Sequence, residues 1–234
     1  MCQEIFTMVL LPDMSLYVVA TPIGNIKDIT LRALETLKEV DLILCEDTRH
    51  SRQLLHQYEI RKPLLSFHEH NELQRIPEVI SRLKNGENIA LISDAGTPLI
   101  SDPGFKLVRA ARQENLEVVA VPGASATTAA ISISGLPTDK FLFVGYLPKT
   151  SGKKEELLQK LVELKKLLPQ SLVFYESPHR IEKTLIDLER YFPESLVSVQ
   201  RELTKVHEQI LNGTITEVRA KLTSTKGEFT IVLN

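Results

Sequence analysis

Three clusters of polar residues in this 234-residue sequence carry the types and spacings that chemistry needs. The densest runs Ser93-Asp94-Ala95-Gly96-Thr97-Pro98-Leu99-Ile100-Ser101-Asp102-Pro103-Gly104 and contains no lysine or arginine. Two carboxylates among small residues suit a neutral or cationic ligand, because Asp94 and Asp102 would repel a phosphate. The plainer alternative is a rigid turn, with Asp102 capping a helix that begins at Pro103. A second cluster, Glu46-Asp47-Thr48-Arg49-His50-Ser51-Arg52, opens a predicted helix. Cap chemistry accounts for Asp47 and Thr48, but Arg49, His50 and Arg52 oppose the helix dipole there, which points to a phosphate-facing role. The third, Ser66-Phe67-His68-Glu69-His70-Asn71, offers two imidazoles that bind metal, stack on bases or cap a helix; without matching acidic or thiol ligands, no metal site is expected.

Several chemistries drop out. Nothing matches a phosphate-binding loop with its lysine, a nucleophile elbow, or a helical His-Glu-x-x-His zinc site. Thr21-Pro22-Ile23-Gly24-Asn25 has one glycine where a dinucleotide fingerprint needs three. The two cysteines, Cys2 and Cys45, permit no disulfide framework and suit a reducing compartment. Residues 1–12 lack a basic leader and a spanning apolar run, so neither export nor membrane anchoring is expected, and the location expected is cytoplasmic. With a net charge of -2, any nucleic-acid site must be a local patch. The candidates are Arg49, His50 and Arg52; Arg61 and Lys62; Lys149, Lys153 and Lys154; and His179, Arg180 and Lys183.

The elements that must position these clusters alternate in βαβ fashion from residue 16 to about 121, which predicts a parallel sheet. Strands are expected at 16–21, 41–45, 63–67, 89–93 and 117–121. Ile29, Ala33, Leu37 and Val40 repeat at helical spacing, as do Leu73, Ile76, Ile80 and Leu83 behind the expected cap Asn71. Pro122-Gly123 and the small-residue stretch 124–134 interrupt the pattern, so we place domains at 16–122 and 123–234 after an extension of residues 1–15. In the second, strands are expected at 141–144, 172–175, 196–200 and 229–233, with helices at 154–168, 178–191 and 215–222, in a sheet of mixed direction. Glycine is scarce, yet Gly24, Gly96, Gly123 and Gly145 fall just beyond predicted strands, where open α/β sheets bind ligands. Each is equally readable as an ordinary turn glycine.

Together with Phe174-Tyr175-Glu176-Ser177-Pro178-His179-Arg180 and Arg201-Glu202-Leu203-Thr204-Lys205, the motifs above occur in an order that resembles the small-subunit ribosomal RNA cytidine 2′-O-methyltransferases of the tetrapyrrole methylase superfamily. The resemblance runs from about residue 16 onward. It implies two α/β domains, a homodimer, and S-adenosylmethionine held in an interdomain cleft. Carried over residue by residue, it assigns the cofactor to Asp94, Ala95, Gly96, Thr97, Ile100 and Asp102, to Pro122, Gly123, Ser125 and Ala126, and to Tyr175. Two departures stand out: the linker Val121-Pro122-Gly123-Ala124 lacks a second proline, and Asn234 comes where some relatives carry an extension that bears on RNA grip.

Methyl transfer from a sulfonium is an in-line displacement, so the protein's main task is alignment. A ribose hydroxyl is a poor nucleophile while protonated, and Glu46, Asp47 and His68 are the candidate bases. Thr21, Asn25, Arg49, Arg52 and His70 are the candidate contacts to ribosomal RNA or the small subunit. Two rival readings use the same sequence: a methyltransferase of tetrapyrrole precursors, and a catalytically idle RNA-binding assembly factor.

Overall fold

The computed structural model describes residues 14–234; the expectations for the first residues, Cys2 among them, lie outside the described residues. The chain divides into two compact units, one of residues up to Pro22 with Ile26–Ala124, the other of Ile23–Asn25 with Ser125–Asn234.

In the first unit β1 (Ser15–Val19), β2 (Leu42–Cys45), β3 (Leu64–Ser66), β4 (Ile89–Leu91) and β5 (Glu117–Val121) form one sheet in the order β3-β2-β4-β1-β5. Every pairing is parallel, as the alternating pattern predicts. The connections carry α1 (Leu31–Glu39), α2 (Thr48–Gln57), α3 (Glu72–Lys84) and α4 (Phe105–Gln113). β2 is buried along its whole length, as a strand covered on both faces must be. Period-two alternation sends Ile43 and Cys45 into a core with Ala33 and Leu37 of α1 and Leu55 of α2. Leu42 and Leu44 point the other way, onto Val79 and Leu83 of α3 and Leu107 of α4. Each fully buried leucine contributes roughly 1.5–3 kcal/mol, so the two cores fix the sheet's register and hence the place where every strand ends.

The ends of β1, β3 and β4 come earlier than expected. β1 stops at Val19, because Thr21 makes a lone antiparallel bridge with Gly96: its N–H donates to the Gly96 carbonyl at 2.8 Å and the Gly96 N–H returns at 3.1 Å. The helix that the plainer alternative starts at Pro103, with Asp102 as its cap, begins instead at Phe105, and its N-cap is Gly104 at φ 124°, with no side-chain cap. Asn71 does occupy the N-cap position of α3, but its side chain makes no capping bond.

The second unit has a mixed sheet, as expected, in the order β6-β7-β10-β8-β9: β6 (Phe141–Tyr146), β7 (Ser171–Glu176), β8 (Leu196–Arg201), β9 (Gln209–Thr214) and β10 (Phe229–Leu233). Only β6 and β7 run parallel. Leu158 and Leu161 of α6 (Ser151–Leu167), Leu185 and Leu188 of α7 (Ile181–Tyr191) and Val218 of α8 (Ile215–Lys221) pack on Leu172, Phe174 and Ile231. Two elements go beyond the sequence reading. The small-residue stretch taken as an interruption holds α5 (Ala126–Ile133), and β9 is a polar edge strand whose alternate residues are exposed. Gly145, expected beyond a strand, lies inside β6 at a register shift. No helix among the described residues is long and apolar enough to cross a membrane.

Gly104 joins two constraints, since its φ of 124° disfavours any side chain and an added Cβ would stand 2.7 Å from Leu91 Cδ2. Gly104→Ala is therefore expected to destabilise the protein by about 1–3 kcal/mol, read as a lower urea midpoint. An unchanged midpoint would show that the loop ahead of α4 yields without cost.

Candidate active site

Because the strands of the first unit are parallel, the residues that follow β1, β2, β3 and β4 emerge along one edge of its sheet. Thr21, Glu46, His68 and Asp94 lie there. Thr21 is fully buried, and its hydroxyl lies 3.1 Å from the Ser93 carbonyl and 3.4 Å from that of Gly96. It shapes the loop after β4. Asp47 is the N-cap of α2 and accepts the Arg49 N–H at 2.8 Å. The Arg49 side chain returns to Asp47 at 3.0 Å, and these bonds hold the Asp47 carboxyl down at about 2. The Arg49 guanidinium is nevertheless 87% exposed, so water screens the pair. Asp94 ties this helix start to the neighbouring loop: its carboxylate accepts the Asp47 N–H at 3.3 Å and its carbonyl lies 3.1 Å from His50 Nε2. Arg52 is exposed one turn further along α2.

The electrostatics centre on Glu46. Burial, then the charges of Asp102, Asp94 and Glu69, push its carboxyl up to about 7. Asp102 is pushed up to about 6, chiefly by burial and then by Asp94, against a lowering hydrogen bond from Ser93. Glu46 is half-buried, which leaves it within reach of a ligand. A carboxyl that titrates near neutrality, in company with other carboxylates, is what general-base chemistry at pH 7 calls for. Cys45, just before it, is buried with its thiol raised by burial, and so inert as a nucleophile.

His68 is held by its own turn. Asn71 Oδ1 accepts the His68 N–H at 2.8 Å, and Asn71 Nδ2 donates to the Ser66 carbonyl at 3.1 Å and lies 3.2 Å from His68 Nε2. An amide nitrogen can only donate, so Nε2 accepts and the proton of the neutral ring sits on Nδ1. That Nδ1 is buried with no hydrogen-bond partner. Asn71 thus spends on His68 the side chain expected to cap α3. His70 is exposed, its ring centroid 5.9 Å from that of His68. Among the described residues, no group of three or more His, Cys, Asp or Glu side chains is arranged to hold a metal ion.

The expected cofactor residues of the first unit lie on a strained loop. Leu99 and Ser101 both adopt positive φ, at 73° and 68°, as do Gly96 and Gly104. For non-glycine residues such geometry costs of order 1–3 kcal/mol each and clusters at functional sites. Ala95 and Ile100 are exposed. Thr97 Oγ1 donates to the Ala124 carbonyl at 3.1 Å, tying this loop to exposed Pro122 and Gly123. In the second unit Ser125 caps α5 without a side-chain bond, and Ala126 is its first residue. The Tyr175 hydroxyl lies 2.8 Å from Thr127 Oγ1, with its ring edge-on to Phe143 and Tyr146. The Asn25 N–H donates to Thr204 Oγ1 at 2.9 Å. Glu176 is almost fully buried and gathers the Ser177 N–H at 2.7 Å, the Thr184 hydroxyl at 2.6 Å and Arg180 at 3.1 Å. The 174–180 motif is therefore held by a buried carboxylate.

Sequence reasoning left out Ser93, Asn71 and Glu69, which respectively bond Asp102, orient His68 and add charge at Glu46. All three sit inside the quoted motifs. Only the strand-end geometry separates them from ordinary turn residues.

A family model described as tetrapyrrole (corrin/porphyrin) methylases matches residues 15–219. The chain belongs to that family. Its relatives in the tetrapyrrole methylase family include a "Ribosomal RNA small subunit methyltransferase I" of Thermotoga maritima, 46% identical over 94% of this chain and 97% of that protein. Another protein of that name, from Synechocystis, is 48% identical over 93% of this chain and 78% of that protein. Among solved structures, a cobalt precorrin-4 methyltransferase matches with a TM-score of 0.67 over 96% of this chain and 98% of its own, at 17% identity. A diphthine synthase matches with a TM-score of 0.69 over 94% and 89%, at 14% identity. At those identities the two structures establish the family fold, and nothing of substrate.

The raised Glu46 has a consequence for stability. Its folded pKa of about 7 exceeds the ordinary 4.5, so the folded state keeps a proton that the unfolded chain releases, and stability falls as pH rises from about 4.5 to 7. Glu46→Gln removes that loss. After discounting for solvent screening, the variant should melt about 2–4 °C above the parent at pH 8, with the gap closing toward pH 4.5. A gap that does not change with pH would show that Glu46 titrates normally.

Proposed function

We propose that this protein transfers a methyl group from S-adenosylmethionine to the 2′-hydroxyl of a cytidine in small-subunit ribosomal RNA, with Glu46 as general base. The observation that carries the assignment of the base is the Glu46 carboxyl pushed up to about 7 at the sheet edge. The names of the close relatives support the substrate class. When bound, the cofactor supplies an electrophilic methyl carbon on a cationic sulfur that leaves as a neutral thioether. The loop 93–104 fits such a group: it has no cationic side chain, and it presents Asp94 and Asp102 with backbone set at positive φ. Asp94, Ala95, Gly96, Thr97, Ile100 and Asp102 hold it in this reading, with Pro122 and Gly123; Ser125, Ala126 and Tyr175 keep the cofactor role that the family resemblance gives them.

Glu46 takes the proton from the ribose oxygen as that oxygen bonds the methyl carbon and the carbon–sulfur bond breaks. Burial and the neighbouring carboxylates favour the neutral, protonated Glu46 that accepting the proton leaves behind. Asp47 is the weaker candidate base, since Arg49 holds it ionised down to about 2. It serves α2. His68, locked by Asn71 with its Nδ1 buried, shapes the turn after β3 in this reading rather than taking the proton. Arg49, Arg52, His70 and Asn25 contact the RNA, whereas Thr21 acts through the loop it supports. A homodimeric state and a cytoplasmic location accompany this reading as expectations from the same resemblance.

Radiolabelled S-adenosylmethionine, incubated with the protein and small subunits from a strain lacking it, should place label on one cytidine ribose oxygen. Label on a uroporphyrinogen-type substrate and none on RNA would sink the reading. Glu46→Gln should lower kcat about 10²- to 10⁴-fold. The parent's rate should rise tenfold per pH unit up to about 7 and level off above, as a base active when ionised requires; a profile flat from pH 5 to 8 would remove Glu46 from that role.

A further inference from the structure

The outer edge of the first unit carries a second feature, which shares only Arg52 with the methyl-transfer site. An open groove of about 950 Å³ runs between the C-terminal half of α2 and the edge strand β3, lined by Arg52, His56, Arg61 and Lys62 with Glu59 as its one acid. The helix ends in a turn that builds the groove: Ile60 N–H donates to the Leu55 carbonyl at 2.9 Å and Glu59 N–H to that of His56 at 3.1 Å, with Glu59 itself at φ 57°. That reversal brings Arg61 and Lys62 back alongside Arg52 and His56.

Several other cations of the same unit are tied up in ion pairs. Arg75, Arg82, Lys84 and Lys106 each pair with a carboxylate, at 2.8, 2.8, 2.7 and 2.7 Å. Among the described residues, Arg52, Arg61 and Lys62 have no such partner, in a chain with more acids than bases. Arg49, Arg52 and His56 also recur at three- and four-residue spacing, which puts them along one face of α2. At about 1.5 Å per residue, that row extends about 10 Å along α2 toward the groove.

We infer that this groove is an RNA-backbone track, in which Arg52, Arg61 and Lys62 bind consecutive phosphates of the substrate strand on one side of the nucleotide presented at Glu46. The inference rests on the proposed function, which supplies RNA as the polyanion. It makes phosphate contact rather than base contact the groove's task, so it holds register and affinity without choosing the sequence.

The test compares the parent, Arg61→Glu/Lys62→Glu, and a control with the same change of charge on exposed α6, Lys160→Glu/Lys166→Glu. The probes are ribosomal RNA from small subunits, at several salt concentrations, and S-adenosylmethionine alone. The groove variant should bind RNA at least about tenfold more weakly at low salt, with the slope of log affinity against log salt reduced by about 1.4, two contacts at ~0.7 each for single strands. Its cofactor affinity should match the parent's, which also reports on folding. Equal RNA affinity and slope in parent and groove variant would overturn the groove assignment, as would an equal loss in the control. Failure of the parent itself to methylate ribosomal RNA would instead overturn the proposed function.

Discussion

A parallel sheet covered on both faces leaves its strands little room for polar side chains except at their ends. In the first unit β2 is buried from Leu42 to Cys45, and the two cores claim its alternate residues completely. Glu46 is the first residue past that constraint, and the parallel arrangement brings the residues past β1, β3 and β4 to the same edge. The acidic corner follows from this topology. Antiparallel pairing would have sent every second strand end to the opposite side of the sheet.

What the edge collects is like charge held partly away from water. Glu46, Asp94, Asp102 and Glu69 would relax apart if their backbone allowed it. The loop after β4 is not free to do so: Thr21 bridges it to β1, Thr97 ties it to the linker, and the Asp47 N–H holds the Asp94 carboxylate. Those bonds, together with the packing of Gly104 against Leu91, hold Leu99 and Ser101 in left-handed backbone. Strain and repulsion are thus both carried by the sheet's cores, and proton affinity near neutrality at Glu46 is the result.

The fold was largely legible because burial on both faces writes itself into the sequence as short apolar runs between helical repeats. The five strands of the first unit fall on the runs read for them, β1 starting one residue early at Ser15, with trimming where Thr21 turns aside and where β4 gives way to Ser93. β9 was missed because an edge strand with exposed alternate residues, Gln209-Ile210-Leu211-Asn212-Gly213-Thr214, has no apolar run, and Asn-Gly reads as a turn. α5 was missed because Ala126-Thr127-Thr128-Ala129-Ala130 lacks a strong apolar stripe. In the site, residue types announced the carboxylates but not their energies. The elevation of Glu46 comes from its burial and then from Asp102, 56 positions away in sequence, and no local pattern encodes that meeting.

The same topology accounts for the segregation of charge. Each acid at the corner follows a strand, whereas Arg52, Arg61 and Lys62 lie on α2 and in the turn that ends it. Asp47 caps that helix and keeps a carboxylate at its positive end, which offsets part of the cost of placing Arg49 and Arg52 there. The cations are then free of the corner's carboxylates, apart from the exposed Arg49–Asp47 pair. Had Arg52 reached Glu46, its charge would have stabilised the ionised carboxyl and drawn its pKa back toward 4.5. A poised base and a row of available cations can share one strand–helix junction only because β2 delivers Glu46 to the sheet edge while α2 turns its cationic face toward solvent.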